Sequence, residues 1–273
     1  MNNYVLAVVI GVIEGLTEFL PVSSTAHILL AGKLLGFKEF SGKTFEIMIQ
    51  LGAILALCVL YFRRIWSTVV GLPNDPQARR FALLILIAFM PAAVIGASFN
   101  KYITGSKDQP GLLGSDKLMP VIAIAFIVGG LIMLIVELTR KTVVHRYVED
   151  VPYWKALAIG FCQAVAMIPG VSRSGATIVG GMAFGLDRRA AAELSFYVAI
   201  PTMLGAFVFS AWKSRHELSF DDASLIAVGF SAAFLAALLV VRPFLAIISR
   251  AGFTPFALYR VLLGSLILGI LYL

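Results

Sequence analysis

Long apolar runs broken by short polar segments set the pattern of this chain. Six runs, roughly residues 45–62, 81–98, 117–137, 193–212, 224–241 and 255–273, are long enough to cross a bilayer as helices. Two further apolar regions are interrupted. Residues 4–35 break at Pro21-Val22-Ser23-Ser24, and residues 154–186 break at Pro169-Gly170-Val171-Ser172-Arg173-Ser174-Gly175. Each half is about 11 to 17 residues, short for a crossing. Pro21 ends the first half-helix near Leu20, and Ser23, Ser24 and Thr25 suit the N-cap of a second helix. Non-helical backbone at membrane depth is tolerated only where protein buries it or it lines a wet cavity. Both regions are therefore expected to be re-entrant helix–loop–helix hairpins. The expected fold is an all-α polytopic membrane protein with six transmembrane helices and these two hairpins.

The hairpins read as copies of one unit. A gapless shift of 149 residues lays Gly11 on Gly160, Glu14 on Gln163, Val22 on Val171, Ser23 on Ser172, Thr25 on Ser174, Gly32 on Gly181 and Gly36 on Gly185. A shift of 135 lays Pro120 on Pro255 and Gly129 on Gly264. Residues 1–273 then form a single integral membrane domain of two repeats, about 1–140 and 151–273, each with one hairpin and three spans. Three is odd, so the second hairpin is expected to enter from the opposite face. Such an inverted-topology repeat places its site near the midplane, where broken helices meet. Lys and Arg number 8 in the loops on the first hairpin's side, including Lys38, Lys107 and Arg215, and 12 on the other, including Arg140, Lys141 and Lys155. That bias puts the first hairpin's opening outside the cytoplasm.

Composition agrees with a membrane protein. The chain is 60% hydrophobic and 14% charged, with a mean hydropathy of +0.93; a soluble domain is about one-quarter charged. The net charge of +7 is read as cytoplasmic loop bias and attraction to anionic lipid, with no nucleic-acid partner. The N-terminus lacks the basic segment and early small-residue site of a cleavable signal peptide. Cys58 and Cys162 lie in apolar segments and are expected to pack without a disulfide.

Chemistry concentrates in the two breaks. Glu14 and Glu18 share a helix face one turn apart, and Ser23, Ser24, Thr25 and His27 follow. Charged groups cost roughly 2.5 to 3.5 kcal/mol each at mid-bilayer, which makes function the default explanation. The carboxylates suit three uses that remain open: ligands for a divalent cation such as Mg²⁺ or Ca²⁺, a shared proton, or a base for His27 or a seryl hydroxyl. Arg173 is the only cation between Lys155 and Arg188, and it stands among Ser172, Ser174, Gly175 and Thr177. A guanidinium beside glycine-rich backbone at a helix start suits a phosphate clamp; the plainer alternative is that it neutralises Glu14 or Glu18. His145 and His216, in charged loops, are expected to be solvated. Glu46, Gln50 and Glu193 head spans, where a cavity-lining and an interfacial role are equally open.

The stretch Glu14-Gly-Leu-Thr-Glu18-Phe-Leu-Pro-Val-Ser-Ser-Thr-Ala-His27 resembles the E-x-x-x-E and Ser-Ser-Thr-x-His motifs of the bacterial undecaprenyl-diphosphate phosphatases, also called bacitracin-resistance proteins. Pro169-Gly-Val-Ser-Arg-Ser-Gly-Ala-Thr177 resembles that family's P-G-x-S-R-S-x-x-T motif. Ala26 departs from the glycine usual before the histidine. The resemblance implies an inner-membrane enzyme that removes the terminal phosphate of undecaprenyl diphosphate at a periplasmic site, with a role in bacitracin resistance. It implies Glu14, Glu18, Ser24, His27 and Arg173 as catalytic residues. Ser23, Thr25, Gly170, Ser172, Ser174 and Thr177 would line the diphosphate site; Glu14 and Glu18 are the ligands if the carboxylate pair takes a divalent cation. Ser24, His27 and water each remain open as nucleophile, and a homodimer is left open.

A flippase or transporter is the main rival, because inverted repeats and broken helices are also transporter architecture. The convergence of hydroxyls, imidazole and guanidinium favours an enzyme. The phosphatidic-acid-phosphatase superfamily needs a histidine several residues after a Ser-Arg pair. Here the next one after Ser172-Arg173 is His216, which rules that assignment out.

Overall fold

The computed structural model describes residues 2–36, 43–104, 115–140, 142–213 and 223–272. Lys38, Lys107, Lys141, Arg215 and His216 lie outside them. Helices build the fold: α1 (Asn3–Thr17), α2 (Ser24–Leu35), α3 (Lys43–Leu60), α4 (Phe62–Gly71), α5 (Pro76–Thr104), α6 (Ser115–Thr139), α7 (Tyr153–Ala164), α8 (Arg173–Ala183), α9 (Arg188–Lys213), α10 (Ala223–Ala251) and α11 (Thr254–Tyr272). Five of them, α5, α6, α9, α10 and α11, contain stretches long and apolar enough to cross a membrane, and α3 with α4 gives a sixth if that bent pair is one span. The chain is a multi-pass membrane protein. Both interrupted regions are helix–break–helix units, with breaks between α1 and α2 and between α7 and α8.

One helix escaped the sequence pattern. The chain bends by 75° after α3 and continues as α4, which buries no residue. Phe62, Trp66, Val69 and Val70 are exposed along it while Arg63 and Arg64 begin its polar side. Apolar residues at i, i+4, i+7 and i+8 make the stripe of an amphipathic interfacial helix. At 10 residues it is too short to register as a span.

The described residues form two compact units. The first comprises Met1–Leu20, Ser24–Arg79 and Ala199–Phe244. Its core joins Ala7 and Ile10 of α1, Ile28 of α2, Phe45 and Ile49 of α3, and Leu225, Ile226 and Ala233 of α10. Helices α1 and α10 approach closely, because a Cβ on Gly11 would strike the Gly229 carbonyl oxygen and the Ala232 methyl. The second unit comprises Pro21–Ser23, Arg80–Val198 and Leu245–Leu273. Here α6 and α11 pack along their lengths, and α7 meets α5 through Gly160, where a Cβ would strike the Ala88 carbonyl oxygen and the Pro91 ring. Gly160 is the 149-residue counterpart of Gly11, and Gly229 and Ala232 each follow Ala88 and Pro91 by 141. The same small-residue contact thus recurs in each unit. With no hydrophobic drive between helices in lipid, such close backbone packing is what holds them together.

Polar ties close the second unit. Glu137, buried at the end of α6, accepts from Arg188 Nε at 2.9 Å and Nη2, while its other oxygen accepts the Phe253 N–H at 3.3 Å. Residues 142–147 are clipped to the α8–α9 turn: Val144 and His145 donate N–H to the Gly185 carbonyl at 2.9 and 3.0 Å, and Asp187 N–H donates to His145 O at 2.8 Å. His145 is therefore not the solvated loop residue expected. Its Nε2 lies 3.0 Å from Lys155 Nζ. Burial lowers its pKa, with the Lys155 charge adding to the effect and Asp150 opposing it.

The paired glycine contacts have a measurable consequence. Gly11→Ala and Gly160→Ala should each destabilise the protein by about 1–3 kcal/mol through overpacking. Gly269→Ala, where a Cβ meets nothing within 4 Å, should leave the melt unchanged. Thermal melts of the detergent-purified variants check this.

Candidate active site

The first break begins where α1 loses its register. Glu14 is fully buried and Glu18, the C-cap, is half-buried. Pro21 forbids continuation, and Ser23 adopts φ 69° before α2 starts at Ser24. This turn brings Ser24 back against α1: its Oγ donates to Glu18 Oε2 at 2.5 Å. That is the short end of the range for an O–H···O hydrogen bond. His27 lies three residues on, along the same face of α2, and is half-buried. Ser23 and Ser24 are buried, while Thr25 is exposed. Ala26 is wholly enclosed, so its extra methyl group is part of the packing.

The second break repeats the geometry with different chemistry. Ser172 adopts φ 71°. It and Ser23, 149 positions apart, are the only non-glycine residues with positive φ among those described. L-residues in that region cost roughly 1–2 kcal/mol, and such strain clusters at functional sites. Ser172 Oγ accepts the Gly175 N–H at 3.1 Å and lies 3.1 Å from Ser174 Oγ. The Gly175 N–H is thus taken up within the break rather than open to a phosphate. Arg173, the first residue of α8, donates from Nη1 to the Ser195 carbonyl at 3.0 Å, with Ser195 Oγ at 3.4 Å. Ser195, on α9, orients the guanidinium and had no signal in the motif. Thr177 Oγ1 donates to Arg173 O at 2.8 Å and reaches Gln163 Oε1 at 3.4 Å. Among the span-heading residues, Glu193 pairs with Arg189 at 2.9 Å, the plainer of its two roles.

A second arginine, absent from the motifs, joins the breaks. Arg260 in the middle of α11 is 1% exposed. Its Nη1 donates to the Pro21 carbonyl at 3.1 Å, and its Nη2 donates to the Ala125 carbonyl at 3.0 Å and the Gly170 carbonyl at 3.1 Å. Its Cζ stacks 5.0 Å from the Phe126 ring centroid. Gly129 leaves room for the guanidinium. Pro21 and Gly170 are counterparts at the 149-residue shift, so one side chain ties equivalent carbonyls of both breaks. Three charge-assisted bonds at about 1.5–3 kcal/mol each outweigh an insertion cost of roughly 2.5 to 3.5 kcal/mol. The signal was a lone arginine inside an apolar span, which is itself a functional hypothesis in a membrane protein.

The donor set bears on a metal. Among the described residues no three His, Cys, Asp or Glu side chains gather as an all-protein cage would need. Glu14 and Glu18 fit a hard cation only in the open mode, where one or two carboxylates bind and phosphate oxygens complete the shell.

Replacing Arg260 should therefore loosen both breaks together. Arg260→Met leaves buried carbonyls without a donor and should cost about 3 kcal/mol or more. Hydrogen exchange should quicken at residues 22–24 and 171–173. Arg250→Met, at an exposed site, should do neither. Melting curves and exchange mass spectrometry check both halves.

Comparison with known proteins follows the same residues. The chain matches the family described as "Bacitracin resistance protein BacA" over residues 7–266. It is 52% identical over 261 residues to undecaprenyl-diphosphatase 2 of Paramagnetospirillum magneticum, covering 95% of this chain and 96% of the relative. It is 50% identical over 267 residues to undecaprenyl-diphosphatase 1 of Agrobacterium fabrum, covering 97% and 96%. The undecaprenyl-diphosphatase of Sinorhizobium medicae is 49% identical over 264 residues, covering 97% and 95%. With nearly its whole length matched, the chain belongs to the bacitracin resistance protein BacA family.

Proposed function

We propose that this protein hydrolyses the terminal phosphate of undecaprenyl diphosphate, giving undecaprenyl phosphate and inorganic phosphate. The carrying observation is the 2.5 Å bond from Ser24 Oγ to Glu18 Oε2, in a chain whose relatives are named for that activity. The bond favours Ser24 as nucleophile over His27 or water. Ser24 Oγ attacks the terminal phosphorus as Glu18 takes its proton. The Oγ–P bond forms, the bridging P–O bond breaks, and undecaprenyl phosphate leaves. Water then attacks the phosphoserine phosphorus, the Oγ–P bond breaks, Glu18 returns its proton to Ser24 Oγ, and the attacking water's oxygen and remaining protons leave with inorganic phosphate. Arg173, oriented by Ser195, binds phosphoryl oxygens through its planar fork. Ser172, Ser174 and Thr177 hold the backbone that carries it. Glu14 and Glu18 would be the residues to hold a divalent cation, which would supply further neutralisation of phosphoryl charge when bound.

The prenyl tail needs an apolar path. A groove of about 660 Å³ runs along α1 and α10, lined by Val8, Val12, Leu16, Leu235 and Leu239 among others. Along α1 it rises toward the helix end that bears Glu18, which supports this assignment. Two inverted repeats, re-entrant hairpins and a periplasmic site in the bacterial inner membrane complete the proposal. The matched serines at positive φ and the paired Gly11 and Gly160 contacts support the repeat. The loop-charge bias supports the orientation.

Steady-state phosphate release from a prenyl diphosphate, on purified and melt-checked variants, tests the roles. Ser24→Ala and Glu18→Gln should each lower kcat/KM by about 10² or more. Arg173→Ala should lose about 10³, and Arg173→Lys should also be strongly impaired because the fork is lost. If Arg173→Ala kept more than about a tenth of wild-type kcat/KM, a loss under roughly 1.4 kcal/mol, the clamp would fail and the transporter alternative would gain.

The cation is tested by removal. Chelation should reduce turnover to background, and added Mg²⁺ or Ca²⁺ should restore it. Full activity in chelator would remove the metal from the scheme.

A further inference from the structure

Away from the breaks, α6 ends, α7 begins and α8 ends in one place. A cavity of about 560 Å³ lies there, with Arg140, Thr142, Trp154, Lys155 and Gly185 in its lining. Its two cations are held differently. Lys155 Nζ donates to the Phe184 carbonyl at 2.8 Å, meets His145 Nε2 at 3.0 Å and stands 5.4 Å from the Trp154 ring centroid. These contacts fix the ammonium beside the cavity without neutralising it. Arg140 Nη1 is shielded from solvent and has no hydrogen-bond partner among the described residues. A shielded guanidinium N–H without an acceptor is costly.

Carboxylates do not resolve this. None lines the cavity among the described residues. Glu137, one turn before Arg140, is committed to Arg188 and the Phe253 N–H. Asp150 is felt at His145 but is not among the lining residues. We propose that this cavity binds a phosphate group, supplied either by an anionic lipid headgroup or by soluble phosphate. Arg140 offers the planar fork that matches phosphate oxygens. Lys155 adds a point charge, and Thr142 a hydroxyl. The flanking aromatics Tyr153 and Trp154, both exposed, are of the type that marks headgroup level at helix ends. Basic pockets between transmembrane helices are where headgroups bind. None of these residues belongs to the catalytic set, so the inference stands apart from the proposed hydrolysis.

The test uses the full chain in detergent and three probes: short-chain phosphatidylglycerol, phosphatidylcholine of the same chain length, and inorganic phosphate. Dissociation constants are measured for wild type, Arg140→Gln and Lys155→Gln. At least one anionic probe should bind wild type about tenfold tighter than Arg140→Gln, a difference near 1.4 kcal/mol, while phosphatidylcholine should not discriminate. Whichever anionic probe responds to Arg140→Gln names the source. Because inorganic phosphate could also occupy the catalytic site, only the Arg140-dependent part of its binding counts. Phosphate release by Arg140→Gln should equal that of wild type, which separates this cavity from the hydrolytic site. If Lys155→Gln melts early through loss of its bond to Phe184, Arg140→Gln decides alone. Equal affinity of wild type and Arg140→Gln for both anionic probes would overturn the proposal.

Discussion

A break in a buried helix leaves carbonyls without their intrahelical donors, and the fold meets this constraint with Arg260. Its guanidinium takes the Pro21 and Gly170 carbonyls and a third from Ala125, inside α6. An ammonium could not do this as well, because a planar fork presents several fixed donors at once. Anchorage inside the long α6–α11 contact makes the arginine a rigid post, so both break tips inherit their positions from packed transmembrane helices. Sites on such supports are held more precisely than sites on free loops. Ser23 and Ser172 can then occupy strained backbone, since the surroundings over-determine them.

The matched geometry of the breaks carries unmatched chemistry. Ser24 and Arg173 are the first residues of α2 and α8 and are counterparts at the 149-residue shift. Ser24 meets a carboxylate and Arg173 meets the Ser195 carbonyl. Two similar turns thus present a hydroxyl bonded to a carboxylate at the first break and a cation at the second.

The spans were legible because apolar run length is a strong signal and lipid admits few alternatives to helices. The breaks were legible because Pro21 and Gly170 interrupt runs that would otherwise continue. Three features were not. Helix α4 is amphipathic, so its apolar stripe alternates with Arg63 and Arg64 and never forms a run. Arg260 acts across 239 residues on Pro21, and no local pattern encodes such a distance. His145 looked solvated because its neighbours are charged, yet the partners that half-bury it come from α7 and the α8–α9 turn. In the candidate site, the motifs located Ser24, Glu18 and Arg173, whereas the Ser24–Glu18 bond and the Ser195 support came from tertiary structure.

The two carboxylates of the first break now differ physically, although their spacing made them look alike. Glu18 is half-buried and holds the Ser24 hydroxyl. Glu14 is fully enclosed in α1. Its counterpart at the 149-residue shift is Gln163, itself buried and placed near Thr177. A neutral amide, which performs no proton transfer, occupies the matching place in α7. The Glu-for-Gln difference at matching positions sets the two carboxylates apart: Glu18 holds the Ser24 hydroxyl, and Glu14 lies enclosed one helical turn before it.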